Sequence, residues 1–185
     1  ERRMKEISLH ILDLAQNSLQ AGAKNIGIDI EEDSQADTFA VALADDGCGM
    51  SESLAQAAVN PFVTTRTTRK VGLGIPMFKA GCEACGGSFM LESEEGKGTR
   101  LKGVYRRSHI DRPPLGGICD TMLLLIAGNP AVRFHYSHRL DGRGYELDTA
   151  EFKRILGEVP LDTPEVTAFI KEFLINNESE LYGGR

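Results

Sequence analysis

The chain has 185 residues, of which 41% are hydrophobic and 26% charged, and its formal net charge at pH 7 is −6. This composition predicts a soluble globular protein, and the acidic balance argues against broad affinity for nucleic acid. No apolar run approaches the length of a membrane span, and the start shows no signal-peptide pattern. We therefore expect a cytoplasmic protein with neither a membrane nor a nucleic-acid partner. Because the chain begins at Glu1 rather than Met, we expect its natural N-terminus to lie upstream.

The first predicted element is an amphipathic helix with two polar residues on one face. Apolar residues recur at a helical period between Met4 and Leu19. Asp13 and Asn17 are four residues apart, so they project together from the polar side, with His10 on the same stripe. A carboxylate and an amide oxygen suit Mg²⁺, which takes few protein ligands, and the carboxylate could act as a general base. The alternative is an exposed polar helix face.

Two strands are predicted next, and the second leads into an Asp-Gly turn. Residues 26–30 and 39–43 are apolar runs of strand length. Asp45 follows the second run, where a carboxylate can accept hydrogen bonds from the amino group of a base. Gly47 and Gly49 would let the backbone turn sharply and approach a flat ligand. An ordinary Asp-Gly turn would contain the same residues.

A polar, basic loop precedes the next predicted helix, which ends near Cys85. Small residues before a helix N-terminus offer backbone N–H groups and the positive end of the helix dipole to an anion. Cationic side chains add charge that attracts phosphate. The residues that could meet a phosphate in this way are Thr64, Thr65, Arg66, Arg69, Lys70, Gly72, Leu73 and Gly74. A solvated surface loop is the alternative.

A glycine-rich turn joins two further predicted strands, residues 88–92 and 100–105, as a hairpin. Thr99 begins the returning strand and could place its hydroxyl near a ligand, although a plain turn would account for the same residues.

The four cysteines are predicted to be reduced thiols rather than metal ligands. Cys82 and Cys85 form one C-x-x-C motif inside a predicted helix, whereas zinc sites usually contain two such pairs. His135 and His138 are three apart on a predicted strand, so they would point to opposite faces and not share a metal.

A segment rich in Pro and Gly at residues 108–117 predicts a boundary between two regions. The first is predicted to span residues 4–107 and the second residues 118–180. The second would contain a short apolar helix, a β-hairpin and two more helices. It could pack on the first region, form a homodimer or receive a protein partner.

Taken in order, these motifs resemble those of the GHKL ATPase superfamily, which includes gyrase B, the Hsp90 chaperone, bacterial histidine kinases and the mismatch-repair protein MutL. Residues 13–23 resemble the N box in its MutL form, and residues 45–50 resemble the G1 box. Residues 61–66 and 72–75 resemble the F and G2 boxes of histidine kinases, and residues 96–99 the G3 box. The resemblance implies an α/β fold of the Bergerat type, a mixed β-sheet covered by helices on one face, here with a small α+β C-terminal appendage.

The resemblance also implies that the cofactors are ATP and Mg²⁺. Asn17 would be the Mg²⁺ ligand, Asp45 would accept from the adenine amino group, and Thr99 would lie beside the base. The adenine pocket would be shaped by Gly47, Gly49 and Met50.

The phosphates are expected near the F and G2 boxes. The resemblance implies that Gly72 and Gly74 contact them through the backbone and that residues 64–70 form a short lid. Asp13 stands where most family members carry a catalytic Glu, which is one methylene longer.

Three functions remain open on these grounds. The F and G2 boxes favour a protein kinase of the histidine-kinase or anti-sigma-factor type, with the phosphoacceptor on another protein. A MutL- or gyrase-like ATPase switch is the second possibility. The third is a module that senses ATP without hydrolysing it, a reading that the shorter Asp13 keeps open.

Overall fold

A six-stranded mixed sheet forms the centre of the protein. The computed structural model describes residues 6–60 and 73–183. The strands are β1 (Asn25–Asp33), β2 (Thr38–Asp45), β3 (Ser88–Glu94), β4 (Gly98–Arg106), β5 (Arg133–Leu140) and β6 (Arg143–Asp148). Their order in the sheet is β3-β4-β2-β1-β5-β6. The β1–β5 pair is parallel and the other neighbouring pairs are antiparallel. This architecture confirms the predicted fold class.

Helices cover one face of this sheet. They are α1 (Ile7–Gln20), α2 (Glu52–Ala58), α3 (Gly74–Ala84), α4 (Ile118–Gly128), α5 (Thr149–Leu156) and α6 (Pro164–Gly183). The sequence did not predict α2, a helix of two turns that begins where the Ser51 hydroxyl accepts from the backbone N–H of Leu54 at 3.4 Å. None of the helices in the described ranges is long and apolar enough to cross a membrane.

The two faces of the sheet differ in polarity, as the alternation in β1 illustrates. Ile26, Ile28 and Ile30 are buried under the helices, whereas Asp29 and Glu31 lie exposed on the opposite face. Successive strand residues point to opposite faces, so one strand supplies both the core and a solvated surface. The sheet therefore has a single hydrophobic core, on the side where α1 and α3 pack.

The C-terminal part of the chain continues the same sheet. β5 pairs with β1 in parallel register, and α4 packs against α1. The carbonyls of Pro114 and Leu115 accept from the N–H groups of Ile7 and Ser8, at 2.9 and 2.8 Å, and so satisfy donors that the start of α1 leaves unpaired. A division into residues 4–107 and 118–180 remains a prediction, and the two parts share one sheet.

A buried charged cluster attaches α6 to the end of β1. His138 on β5 is fully buried, with Nδ1 3.0 Å from Glu178 Oε1 and Nε2 3.3 Å from Glu32 Oε1. Arg107 Nε donates to Glu32 Oε2 at 2.9 Å. The hydroxyl of Tyr145 donates to Glu178 at 2.7 Å, and that of Tyr182 donates to Glu32.

Partner charges decide how this cluster ionises. Burial alone would lower the pKa of His138, but hydrogen bonds and charge from Glu178 and Glu32 outweigh burial and raise that pKa above its usual value. Burial would raise the pKa of Glu32, but donors from His138, Tyr182 and Arg107 hold it at about 2. The cluster is therefore an ion network that bridges β1, β5 and α6.

Candidate nucleotide-binding site

A cavity of about 420 Å³ lies between α1 and the end of the sheet where β2 stops and β4 begins. Apolar side chains of Leu14, Leu43, Ile75 and Leu101 contribute to its wall. An apolar pocket with a few polar groups is typical of small-molecule sites. The predicted site residues that line the cavity are Asn17, Asp45, Gly49, Met50 and Thr99.

The carboxylate of Asp45 is held in place from two sides. Ser18 Oγ donates to Asp45 Oδ2 at 2.6 Å, and the backbone N–H of Gly47 donates to Oδ1 at 2.8 Å. Each oxygen keeps a lone pair for a further donor, so Asp45 can accept from an amino group in the cavity. Ser18 was not predicted, because its contact joins residues 27 positions apart.

The glycines of the second motif are required by the packing of the protein backbone. Gly49 has a φ of +63°, and a Cβ added there would come within 1.9 Å of the Glu94 carbonyl oxygen. A Cβ at Gly47 would lie 2.8 Å from the Ala21 Cβ. The turn after β2 is thereby wedged between the end of α1 and the β3–β4 turn, which closes the cavity at this side.

Thr99 faces Asp45 across the β2–β4 ladder and is tied to a serine on the next strand. Thr99 Oγ1 lies 2.9 Å from Ser93 Oγ. Ser93 Oγ also accepts from the backbone N–H of Met50 at 2.9 Å and donates to the Gly98 carbonyl at 3.0 Å. Ser93 belongs to none of the motifs and was missed, since its role depends on a contact across a hairpin.

Near Asn17, α1 meets the N-terminus of α3. The Asp13 carboxylate lies against Gly74, the first residue of α3, so closely that a Cβ there would fall 1.8 Å from Asp13 Oδ2. The amide nitrogen of Asn17 is buried and has no hydrogen-bond partner in the described part of the chain. Ile75, the next residue of α3, lines the same cavity as Asn17.

The chemistry of this end fits a magnesium ion. Mg²⁺ takes oxygen ligands, keeps several waters and is commonly held by one or two protein groups together with substrate phosphates. The Asn17 side chain, whose amide nitrogen makes no hydrogen bond in the described part of the chain, lines the cavity and carries an oxygen of the kind that Mg²⁺ takes, and Asp13 lies one turn earlier on α1. No group of three or more His, Cys, Asp or Glu side chains that could hold a metal occurs among the described residues.

Several predicted phosphate contacts lie outside the described residues, namely Thr64, Thr65, Arg66, Lys70 and Gly72. Their roles remain predictions. Of the neighbouring residues, Leu73 precedes α3 and is 65% exposed, and Gly74 is buried.

Four of the other titratable residues considered in the sequence lie outside the cavity lining. His10 is buried against the Phe78 ring at 5.8 Å, and burial lowers its pKa, with Asp13 opposing the shift. Burial raises the pKa of the Cys82 thiol to about 12. His138 lies in the core, whereas His135 faces Glu146 on the outer surface, as their spacing predicts.

Asp46 follows Asp45 in the chain but does not line the cavity. Its Oδ1 accepts from the backbone N–H groups of Lys24 and Asn25 at 2.7 and 2.8 Å. Although burial opposes the shift, these hydrogen bonds and one from the Asn25 side chain lower the Asp46 pKa. Two adjacent carboxylates thus differ in function: one faces the cavity and the other ties the start of β1 to the turn.

The family model for histidine kinase-, DNA gyrase B- and HSP90-like ATPases matches residues 3–106. The chain belongs to this family, and this part of it is a GHKL-type ATP-binding domain.

Individual relatives cover different shares of the chain. Sporulation kinase E of Bacillus subtilis (strain 168) is 36% identical over 97 residues, which are 52% of this chain and only 13% of that protein. The N-terminal domain of a DNA repair protein is similar in fold, with a TM-score of 0.50 at 12% identity, covering 80% of this chain and 52% of that one. The Aquifex aeolicus MutL ATPase domain complexed with ADP has a TM-score of 0.46 at 12% identity, covering 91% and 88%.

Proposed function

We propose that this protein binds Mg-ATP and transfers the γ-phosphate to a partner protein, as a kinase of the histidine-kinase or anti-sigma-factor type. The observation that carries the proposal is one cavity lined by Asp45, Asn17 and Ile75, the residue that follows the Asp13–Gly74 contact. The 36% identity to a protein named sporulation kinase E supports the kinase part.

The polar groups of the cavity suggest how the nucleotide lies. The adenine would enter between the apolar walls, with its amino group donating to Asp45 and its edge beside Thr99. The phosphates would extend toward the N-terminus of α3, because the first N–H groups of a helix have no partner within the helix and its dipole favours an anion. Asn17 lies on α1 between Asp13 and Ser18, the partner of Asp45, and its amide oxygen would hold Mg²⁺ in the proposed complex.

Asp13 would orient the acceptor group and receive its proton. When bound, the metal would neutralise charge on the phosphates, and the positions of Asn17 and Asp13 suit that arrangement. The Asp13 carboxylate already lies at the start of α3, where the γ-phosphate would be expected. Arg66, Arg69 and Lys70 remain proposed cationic contacts.

Two alternatives keep the same nucleotide site. An ATPase switch would release phosphate to water and couple the cycle to dimerisation. A sensing module would bind ATP without turnover, because the Asp13 side chain is one methylene short of Glu. A protein partner, a signalling role and a cytoplasmic location, where ATP is available, belong to the proposal as well.

The fate of the γ-phosphate separates the three functions. The protein would be incubated with Mg²⁺ and γ-labelled ATP, alone and with a lysate of its source, and the label followed. We expect label on a protein. Label released as free phosphate would instead establish the ATPase switch, and label that stays on bound ATP would establish the sensor.

A matched pair of variants links any signal to this site. Asn17→Ala should abolish transfer. Gln16→Ala changes the preceding residue of α1, which is exposed, and should leave transfer at the level of the unmodified protein. Equal activity of both variants would assign the signal to a contaminant.

A further inference from the structure

Ser93 stands behind Thr99 on the side away from Asp45, and its hydroxyl group forms hydrogen bonds with three neighbours. These neighbours are the Met50 N–H, the Gly98 carbonyl and the Thr99 hydroxyl, at 2.9, 3.0 and 2.9 Å. The Met50 N–H can only donate, and the Gly98 carbonyl can only accept. A serine hydroxyl has one proton and two lone pairs.

These constraints assign every hydrogen of the group. The Ser93 proton goes to the Gly98 carbonyl, and one Ser93 lone pair accepts from Met50. The remaining lone pair can then take only the proton of Thr99. Thr99, which lines the cavity, is left with lone pairs alone for a ligand.

We propose that Ser93 is a positioning residue that holds Thr99 as a hydrogen-bond acceptor and so favours nucleotides whose purine carries a 6-amino group. The inference rests on the proposed adenine-nucleotide site and adds a residue and a selection device to it. Asp45, opposite Thr99 in the ladder, accepts a hydrogen bond from the Ser18 hydroxyl and is likewise an acceptor. Asp45 and Thr99 therefore both require a donor from the ligand, directly or through a water.

The ligands that test this device are ADP and purine riboside 5′-diphosphate, which lacks only the 6-amino group. Calorimetry on the full chain gives both dissociation constants. The ratio of the constant for purine riboside 5′-diphosphate to that for ADP measures the preference for the 6-amino group. In Ser93→Ala, Thr99 can rotate and donate to a ring nitrogen, so this ratio should fall about fivefold, the change expected for one neutral hydrogen bond. Ser93→Thr keeps the hydroxyl and should keep the ratio within about twofold.

A double-mutant cycle decides whether Ser93 acts through Thr99. Thr99→Val removes the hydroxyl with little change of shape and should lower the ratio. Adding Ser93→Ala to Thr99→Val should lower it no further, because coupled residues are not additive. Ser88→Ala, at the exposed start of the same strand, is the control and should leave the ratio unchanged.

Results that contradict the role of Ser93 can be distinguished from results that contradict the nucleotide site. A ratio unchanged in Ser93→Ala while ADP still binds would show a merely structural serine, and independent effects of the two substitutions would show that Ser93 does not act through Thr99. Either result overturns the inference. If Ser93→Ala does not fold, Thr99→Val against Ser93→Thr still tests the device: an unchanged ratio in Thr99→Val overturns it. Failure of the unmodified protein to bind either diphosphate would instead overturn the proposed nucleotide site.

Discussion

The carboxylate of Asp13 and the backbone of Gly74 are in direct contact, which joins α1 to the first residue of α3. A Cβ at Gly74 would lie 1.8 Å from Asp13 Oδ2, so no larger residue fits without displacing that carboxylate. This contact thus positions both Asp13, which we propose to lie near the acceptor, and α3, which we propose to bind the phosphates.

Gly74→Ala should therefore impair the site more than the fold. The added methyl group would push Asp13 away from α3, and we expect at least a tenfold loss of phosphate transfer, with a stability cost of about 1–3 kcal/mol for overpacking. Transfer assays and urea unfolding measure the two effects.

Gly81→Ala is the control on the same helix. A Cβ there would meet the Tyr105 side chain, with the hydroxyl oxygen at 3.5 Å and a ring carbon at 3.7 Å, and both are ordinary contacts. Alanine in a helix interior is favoured over glycine by up to about 1 kcal/mol, so stability should be unchanged or higher and transfer unaffected. A loss of transfer in Gly81→Ala equal to that in Gly74→Ala would refute the role of the Asp13 contact.

Asp45→Asn should weaken nucleotide binding. Asparagine replaces an acceptor oxygen with a donor, so the interaction with the 6-amino group would lose about 1.5–3 kcal/mol, the scale of a hydrogen bond to a charged group. Titration calorimetry with ADP measures this directly. Asp46→Asn is the control, because it makes the same change at the adjacent residue. The Asp46 side chain accepts hydrogen bonds from the backbone of Lys24 and Asn25, so ADP affinity should change less than twofold. Unchanged ADP affinity in Asp45→Asn would remove Asp45 from the site.

Removal of metal should affect the unmodified protein and Asn17→Ala differently. If Asn17 holds Mg²⁺ with the phosphates, excess EDTA should weaken ADP binding to the unmodified protein by about tenfold, since a metal ligand and its charge are lost. Asn17→Ala should bind ADP with similar affinity in Mg²⁺ and in EDTA. A variant that keeps the full Mg²⁺ effect would show that another group holds the ion.

The cluster around His138 should make stability depend on pH from both sides. The His138 pKa is raised above its usual 6.5 in the folded protein. Its contribution to the free energy of unfolding is therefore fully present below about pH 6.5 and is lost as pH rises through the raised value. The Glu32 pKa is lowered to about 2 from 4.5, so its contribution is present above about pH 4.5 and is lost as pH falls toward 2. Both contributions are complete between those limits, and urea midpoints should be highest there.

Replacing His138 tests the cluster more directly. His138→Gln would leave the buried carboxylate of Glu32 without its histidine partner, and breaking a buried ion pair costs about 3–5 kcal/mol. The loss of stability above pH 6.5 should also become shallower. His135→Gln changes a histidine on the outer face of the same strand and should alter stability by less than about 0.5 kcal/mol. Equal effects of the two substitutions would contradict the buried network.

Much of the local structure was predictable because its signals are short-range. Residues at helical spacing place Asp13 and Asn17 on α1. The helix ends at Gln20, and Gly22, two residues beyond, has a φ of +76° that suits the predicted left-handed cap. The strands, the hairpin and the C-terminal helices follow from similar patterns. The missed helix α2 is short, and its capping serine is a weak signal by itself.

The candidate site was predictable only in part. The motifs indicate Asn17, Asp45 and Thr99, and the cavity brings these side chains together. Ser18 and Ser93 could not be selected, because nothing in their immediate sequence distinguishes a serine that orients a site residue from one that faces solvent.

By itself, the sequence determined the order and type of most elements and the family whose motifs it carries, since periodicity, turn residues and motif spacing act over a few residues. Only the tertiary structure decided that β5 joins β1 in parallel, that His138 sits between Glu32 and Glu178, and that Asp13 touches Gly74. Each of these contacts joins residues at least 40 positions apart. Such contacts form because the whole sheet and its helices bury one shared core, and no local pattern encodes which distant partners that packing brings together.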